Sequence, residues 1–317
     1  MTSKKYFFWV LGLSIGLPLA WVTYNLCSND FGLWYSKDSC YIYKFERASK
    51  ALLSQRHIPE YFNALLIGPS LSNNLDTSVI QTYRTYNLSL NGGNITELRH
   101  LADTAMDNGQ FKMLIICMHP YTTQTYGFKG GQLQNINWRD AFFSELAFKV
   151  LIKKLLRPWD KQSQRQFGQS NWGTKHGQLN PTKTKKFVEK YRPYYDSLPQ
   201  ITPKPSVVYP QAVTDLESLI QNARKREVKI IAYYYPIFQG QFNKDFGIEG
   251  WNRYKQQVQH VFTKDDLVLD LNTPAYKFFS GDITNYTDGH LSDQGAQKLS
   301  KLLAAQIEQW HSQKFKQ

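Results

Sequence analysis

Short apolar runs alternate with stretches of helical spacing along most of this chain. The apolar runs predict strands that are buried on both faces of a sheet, and they lie at residues 64–67, 86–90, 112–118, 228–235 and 267–271. Helices are predicted between and after these runs, at residues 76–83, 95–106, 212–226, 251–262 and 292–310. This alternation predicts an α/β fold, a three-layer sandwich with a central parallel sheet covered on both faces.

Residues 120–210 interrupt that alternation. The segment is rich in Gln, Lys, Tyr, Trp and Pro, and it is too long for a simple crossover between strands. Within it, residues 141–156 predict an amphipathic helix that ends in basic residues, and residues 183–192 form a second basic segment. We expect a long insertion beside the active face, serving as a lid, a polymer-binding surface or a docking site for a partner. A solvated loop is the alternative.

The N-terminus predicts a membrane anchor. Residues 6–24 are uncharged and mostly apolar, a length that spans a bilayer as a helix. Lys4 and Lys5 precede this stretch, so the positive-inside rule predicts a cytoplasmic tail at residues 1–5 and an extracytoplasmic remainder. We expect a juxtamembrane stalk at residues 25–60, followed by one domain at 61–317 that contains the insertion. A cleaved signal peptide and a buried helix are the alternatives.

Charge and composition narrow the class of partner. The 317 residues carry a net charge of +13, with a pI of about 9.4 and 15% aromatic residues. Such a balance favours an anionic partner. No zinc-finger, helix-turn-helix or RNA-binding motif accompanies the charge, so we expect no nucleic acid. A cell-surface glycan, another anionic polymer or the membrane surface fits better.

The three cysteines and the rest of the sequence predict neither a metal site nor a cofactor. No Cys and His residues stand at metal-ligand spacing, and no cofactor fingerprint is present. Cys27 and Cys40 could form a disulfide in an oxidising compartment. Cys117 lies in an apolar run and is predicted to be a buried core thiol.

Two short motifs, about 220 residues apart, carry the candidate chemistry. The first, ALLIGPS at residues 64–70, is a strand that ends in a tight turn with Ser70. The second, TDGHLSDQGA at residues 287–296, places Asp288 two positions before His290. Ser70 could act as a nucleophile, His290 as its base and Asp288 as the group that orients the imidazole. Alternatively, Asp288 and His290 belong to a surface turn in which Ser292 caps the helix that follows.

Three further residues follow predicted strands and could contact a substrate: Gly92, Asn94 and His119. The backbone N–H of Gly92 or the side-chain amide of Asn94 could stabilise an oxyanion. An ordinary turn at Gly92, a helix cap at Asn94 and a structural histidine at 119 are the alternatives. Ser72, Asn73 and Asn91 are secondary candidates at the same edge.

In combination, the Gly-x-Ser turn, the strand NLSLNG at residues 87–92 and the segment DGHLSDQGAQKLSKLL from residue 288 resemble the SGNH (GDSL-type) hydrolase and acyltransferase superfamily. Within that superfamily, the sequence most resembles the membrane-anchored DltD-like and AlgJ/AlgX/PatB-like branch. The resemblance implies a flavodoxin-like fold over roughly residues 61–118 and 211–312. It also implies Ser70 as nucleophile, His290 as base, Asp288 as orienting group and Gly92 as oxyanion donor.

Two positions depart from the pattern of that superfamily. Pro69 stands where the hydrolases have Asp or Ser, and His119-Pro120 follows the third strand in place of Gly-x-Asn-Asp. The predicted function is a membrane-anchored, extracytoplasmic acyltransferase or esterase that moves a short acyl group, expected to be acetyl, on a cell-surface polysaccharide. The alternative is a degenerate module that binds glycan or acts as scaffold for a membrane-bound O-acyltransferase.

Overall fold

The computed structural model describes most of the chain outside the stalk and the insertion. The described residues are 3–29, 31, 33, 46–124, 137–142, 144–156, 172–174, 185, 186, 188–190, 193, 208–287 and 289–314. Most of the insertion predicted at 120–210 therefore lies outside the description, as do Cys40 and the second basic segment apart from a few residues.

A five-stranded parallel sheet forms the centre of the molecule. Its strands are β1 Ala64–Ile67, β2 Thr85–Asn87, β3 Met113–Met118, β4 Lys229–Tyr234 and β5 Leu267–Asp270. Their spatial order is β2-β1-β3-β4-β5, and all neighbours are parallel. This is the flavodoxin-like order, so the predicted α/β fold with a central parallel sheet is confirmed.

Strand β2 continues in its hydrogen bonds beyond its formal end. The N–H of Leu88 donates to the carbonyl of Leu66 at 2.7 Å, and that of Leu90 donates to the carbonyl of Gly68 at 2.9 Å. On the other side of β2, the N–H of Asn87 donates to the carbonyl of Trp172, at 2.8 Å. A short piece of the insertion therefore covers the edge of the sheet, which would otherwise expose unpaired backbone groups.

Helices surround the sheet and precede it. Their bounds are α1 Ser3–Ser28, α2 Glu46–Gln55, α3 His57–Tyr61, α4 Ile95–Asn108, α5 Pro120–Thr123, α6 Glu145–Leu156, α7 Pro210–Lys225, α8 Gln239–Asp245, α9 Gly247–Val258, α10 Lys277–Ser280 and α11 Asp293–Lys314. Helices α2, α4 and α7 pack side by side. Helix α9 presses Trp251 and Tyr254 against Tyr234 of β4.

One predicted helix is absent. Residues 76–83 form only a short 3-10 turn, Thr77–Val79. The carbonyl of Leu75 accepts hydrogen bonds from the side chains of Asn87 and Thr174, at 3.0 Å each. Side chains from other segments thus bind this carbonyl, which in a helix would accept from a backbone N–H. Tertiary contacts, and no series of helical hydrogen bonds, therefore fix the chain here.

Residues 46–60, which the sequence assigned to a stalk, contribute to the core. Leu52, Leu53 and Ile58 are at most 1% exposed. The side chain of Lys50 is fully buried as well, and its ammonium group donates to the carbonyl of Ser89. A buried ammonium requires such a partner, so α2 is tied to the strand that follows β2.

Helix α1 differs from the other helices because it is both long and apolar, yet exposed. Its 26 residues include an 18-residue window of mean hydropathy 1.6 with none of its surface buried. The helix is long and apolar enough to cross a membrane. The orientation of the chain across that membrane, and the retention of the helix in the mature protein, remain predictions.

Candidate functional site

Ser70 lies on a sharp turn at the carboxyl end of β1. The strand ends at Ile67, and Ser70 opens a single 3-10 turn, Ser70–Ser72. Glycine is required at position 68, because a Cβ there would lie 2.2 Å from Ser72 Oγ and 2.5 Å from Cys117 Cβ. Strand β3 therefore lies directly behind the turn, and Ser70 lies beyond the carboxyl end of β1.

The side chain of Asn87 binds the backbone of this turn and of the residues just after it. Its Nδ2 donates to the carbonyls of Ser72, Asn73 and Leu75, at 2.8, 3.3 and 3.0 Å. Its Oδ1 accepts from the N–H of Ser89, at 3.1 Å. Since Asn87 is fully buried, no water replaces these bonds, and its side chain fixes the path of the backbone that follows Ser70.

Other polar groups extend the support to helix α2. Ser72 Oγ donates to Ser89 Oγ at 2.8 Å, and Lys50 binds the carbonyl of Ser89. Asn73 Nδ2 donates to Glu46 Oε1 and to Asn91 Oδ1, both at 2.9 Å. Ser72, Asn73 and Asn91, secondary candidates in the sequence, thus make contacts within the support of the turn.

His290 lies on a small hairpin before the terminal helix. Strands β6, Tyr286–Thr287, and β7, His290–Leu291, are antiparallel and pair Thr287 with His290. Gly289 has a φ of +87°, a conformation that favours glycine in a tight hairpin turn. Asp288, the predicted orienting group, lies outside the described residues.

Ser292 ends the hairpin and starts α11. Its Oγ accepts from the N–H of Gly295 at 3.1 Å and donates to the carbonyl of Thr284 at 2.7 Å. This is the helix cap that the sequence indicated. Asn74, four residues after Ser70, donates from Nδ2 to the carbonyl of Leu291 at 3.0 Å, so one side chain links the serine turn to the histidine hairpin.

The two motifs meet at the edge of the sheet. Ser70 Oγ lies 2.9 Å from His290 Nε2, although 220 positions separate the residues. Both side chains are half-buried, so solvent reaches the pair. The distance is that of a hydrogen bond between a hydroxyl and an imidazole, which is the arrangement needed for an imidazole to remove the serine proton.

His119 follows the end of β3, the strand that pairs with β1. Its Nδ1 accepts from the N–H of Tyr121, at 3.1 Å. Its ring packs edge-on against Tyr235 and Phe246, with centroids 6.0 Å apart in each case. Burial lowers the pKa of His119 to about 3, and the nearby His290 contributes to the decrease. His119 is thus a neutral imidazole, and because Nδ1 is an acceptor, its proton is on Nε2.

Gly92 and Asn94 lie at the carboxyl end of the β2 extension. Gly92 has a φ of +60°, and its carbonyl accepts from Arg47 Nη2 at 3.2 Å. Arg47 also pairs with Glu97 at 2.9 Å. Asn94 caps α4 through Oδ1, which accepts from the N–H of Glu97 at 2.9 Å, so the capping alternative is observed. Its buried Nδ2 has no hydrogen-bond partner within the described part of the chain.

A groove of about 850 Å³ lies beside His119, beyond the carboxyl ends of β4 and β5. Phe246, which contacts the His119 ring, forms part of its wall. Amides, a hydroxyl, two basic side chains and one carboxylate also line it, namely Gln239, Asn243, Asn272, Thr273, Arg253, Lys277 and Glu249. Gly289, beside His290, approaches Gln241 on α8, so the groove and the dyad share the same edge of the sheet.

Sequence reasoning missed the residues that support the site. Asn87 is a polar residue in a predicted strand, and the sequence indicates it only as part of the motif NLSLNG, with no role in supporting the turn. Glu46 and Lys50 lie in the segment assigned to a stalk. A charged residue on the apolar side of an amphipathic helix was the available signal for Lys50. Cys117 is the buried core thiol that was predicted, and burial raises its pKa to about 12.

Comparison with known proteins adds little to this description. No protein-family profile matches the chain, and no curated protein matches it. One solved structure that matches is described as "The structure of a putative platelet activating factor from Streptococcus pneumonia". The match covers 81% of this chain and 91% of that chain, at 14% sequence identity and a TM-score of 0.41. A likeness this distant says nothing about activity.

Proposed function

We propose that this protein is a membrane-anchored, extracytoplasmic acyltransferase or esterase of the SGNH type. It would move a short acyl group, acetyl in the first instance, on a cell-surface polysaccharide through an ester on Ser70. The observation that carries the proposal is the 2.9 Å contact between Ser70 Oγ and His290 Nε2. Its position supports the proposal further, since ligands of open parallel sheets bind beyond the carboxyl ends of the strands.

The proposed reaction has two steps. His290 accepts the proton of Ser70 while Oγ attacks the acyl carbonyl, and a tetrahedral oxyanion forms. Collapse breaks the bond to the donor oxygen, which takes the proton from His290 and leaves the acyl group on Ser70. In the second step a hydroxyl of the acceptor, or water in hydrolysis, gives its proton to His290 and attacks the ester carbonyl. Collapse of the second tetrahedral oxyanion breaks the bond to Ser70 Oγ, which takes the proton back from His290. Asp288 would orient the imidazole of His290 and stabilise its charged form.

The oxyanion would be stabilised by groups at the ends of three neighbouring strands. The backbone N–H of Gly92 follows β2, and the N–H of Ser70 opens a helical turn whose first N–H groups have no acceptor within the turn. His119 would supply Nε2–H from the end of β3. This assigns a donor to the position where the superfamily pattern has an asparagine. The buried Nδ2 of Asn94 remains a further candidate donor.

The groove beside His119 is our proposed acceptor site. Its amides and hydroxyl suit sugar hydroxyls, while Arg253 and Lys277 outnumber Glu249 and so favour an anionic polymer. Phe242 and Phe246 in its wall supply apolar surface for a sugar face. The insertion at 120–210 would extend this binding surface. The partner is then a cell-surface glycan, and a membrane-bound O-acyltransferase would be the source of the acyl group.

The test is covalent labelling of the full chain in mild detergent. A fluorophosphonate or an activated acetyl ester is added, and the intact mass is measured. One adduct that maps to Ser70 is expected, and it is lost in Ser70→Ala and His290→Ala. Ser78→Ala is the matched control, because Ser78 is exposed and lies on the next 3-10 turn.

His119 is tested in the same assay. His119→Gln keeps a side-chain N–H donor and is expected to retain part of the labelling rate, whereas His119→Ala loses the donor and slows labelling by about 100-fold. Well-folded wild-type protein without an adduct would contradict a free-standing enzyme and would leave the alternative, a glycan-binding or scaffold partner of a membrane-bound O-acyltransferase.

A further inference from the structure

Helix α6 carries an apolar stripe that the sheet domain leaves exposed. Phe148, Ile152 and Leu156 are 56%, 36% and 68% exposed. They follow one another at intervals of four residues, which keeps them within about 80° of each other around the helix. Ala147 and Val150 lie on another arc and are each 1% exposed. Helix α6 therefore has two apolar faces: the second is buried in the domain, while the first is largely exposed.

The beginning of α6 lies beside the C-terminal part of the membrane-spanning candidate α1. The indole N–H of Trp21 donates to the carbonyl of Phe142, and the Trp21 ring lies 6.5 Å from that of Phe148. Trp21 also stacks on Tyr24, at 6.2 Å. Tryptophan and tyrosine prefer the boundary between membrane and water. The exposed stripe of α6 thus begins at the level where α1 would leave the apolar layer.

The segment of the sequence that contains α6 is strongly basic, which suits an anionic membrane surface. Residues 120–210 contain 15 Lys and Arg against 5 Asp and Glu, a net charge of +10 out of +13 for the whole chain. Lys149 on α6 is 56% exposed and pairs with Glu145, one turn earlier on the same helix. An exposed apolar stripe on a helix from a basic segment is typical of helices that lie in the plane of a membrane interface.

We propose that α6 is an interfacial helix that binds the anionic surface of the bilayer that α1 enters. Phe148, Ile152 and Leu156 would lie among the acyl chains near the headgroups, and the lysines would contact lipid phosphates. The domain would then have two attachments to the membrane, a spanning helix and a surface helix. Two attachments fix the orientation of the domain, which one flexible anchor cannot do. The proposal is independent of the chemistry of Ser70.

The test uses the full chain reconstituted in vesicles of phosphatidylcholine with phosphatidylglycerol. In a background of Cys27→Ser and Cys40→Ser, Ile152→Cys is labelled with bimane, while Cys117 is 1% exposed and stays unlabelled. Nitroxide-bearing lipid is then added as a quencher. Gln221→Cys, an exposed position on α7, is the matched control. Equal melting temperatures show that both variants are folded.

The expected result is a blue shift and lipid-dependent quenching at position 152, with neither at position 221. Quenching at 152 should decrease when phosphatidylglycerol is omitted, because the lysines then lose their partners. Equal solvent exposure at the two positions would overturn the proposal. A blue shift at 152 without quenching by the lipid would also overturn it, since the stripe would then be covered by protein, such as a second copy. Ser70→Ala should leave all these signals unchanged.

Discussion

The two residues of the proposed dyad are held in different ways. Buried polar side chains support the turn that carries Ser70. Asn87 donates to the carbonyls of Ser72, Asn73 and Leu75, and Lys50 donates to the carbonyl of Ser89. These groups come from a strand and a helix that are far from each other in sequence. The nucleophile is therefore fixed by the same contacts that assemble the N-terminal half of the fold.

The hairpin that carries His290 rests mainly on its own backbone and on the helix it introduces. The N–H of Ser292 donates to the carbonyl of Asn285 at 2.8 Å, and Ser292 caps α11. Asn74 supplies the described side-chain link to the serine turn. Disruption on the serine side should therefore destabilise the whole domain, whereas disruption of the link should change the dyad alone.

The largest effect is expected at Asn87. Replacement by alanine removes the Asn87 donor from three carbonyls, so that of Asn73 loses this hydrogen bond, while those of Ser72 and Leu75 keep one donor each, from the N–H of Leu75 and from Thr174. We expect a loss of about 3 kcal/mol of unfolding free energy, which lowers the melting temperature by roughly 8 °C. Labelling of Ser70 should fall as well. Thermal unfolding in detergent, followed by tryptophan fluorescence, measures the first effect.

Asn87→Asp is the control for this substitution. Aspartate has the size of asparagine but cannot donate when ionised, so it should be at least as damaging as alanine. An unchanged melting temperature in both variants would show that the buried amide does not support the turn.

Acid should destabilise the serine side next. His57 of α3 is 4% exposed, and burial lowers its pKa to about 4, against a partial opposing effect of Glu60. The pKa of His57 is higher in the unfolded state, which therefore binds the proton first as the pH falls. Above pH 6.5 the imidazole is neutral in both states, and the free energy of unfolding is not reduced. Between pH 6.5 and 4 the free energy of unfolding decreases by about 3 kcal/mol.

The check is the melting temperature of the protein as a function of pH. His57→Phe keeps an aromatic ring between Tyr61 and Phe62 and removes the titrating group. The decrease between pH 6.5 and 4 should become shallower in this variant. Parallel curves for the two proteins would mean that another group causes the loss.

The sequence predicted the elements whose signal is local. The apolar run of β3 and the helical spacing of α4, α7 and α11 depend on neighbouring residues, and the structure has all of them. The parallel sheet followed from their alternation. Ser70 and His290 were paired by their residue types, their order in the chain and the resemblance to the SGNH superfamily, and the structure brings the two side chains to 2.9 Å.

The sequence could not predict the contacts that depend on tertiary packing. Residues 46–60 contain many polar residues, which favoured a stalk, whereas in the structure Lys50 and Glu46 bind Ser89 and Asn73 at the site. The helix expected at 76–83 is replaced by a 3-10 turn whose preceding carbonyl at Leu75 is bound by Asn87 and Thr174. The partners of these groups are too distant in the chain for a local pattern to reveal.

Gly68→Ala should have an intermediate effect. The new methyl group would lie 2.2 Å from Ser72 Oγ and 2.5 Å from Cys117 Cβ, so either the turn or β3 must shift. We expect a cost of about 2 kcal/mol in unfolding free energy. Because Ser70 moves with the turn, labelling should fall by roughly 100-fold. Gly250→Ala is the control, since a Cβ at that position has ordinary contacts. Labelling at the wild-type rate in Gly68→Ala would contradict a close fit at this turn.

The smallest effect on stability, and the sharpest test of the comparison, is expected at Asn74. Its Nδ2 donates to the carbonyl of Leu291, next to His290. Asn74→Asp keeps the shape but cannot donate, and the loss of one half-buried hydrogen bond costs about 1 kcal/mol. If the link aligns the imidazole with Ser70, labelling by fluorophosphonate should slow by about 10-fold, far more than the change in stability would cause. A labelling rate that follows the melting temperature, with no additional loss, would show that the hairpin reaches its position without the link, and that the two halves of the site are assembled independently.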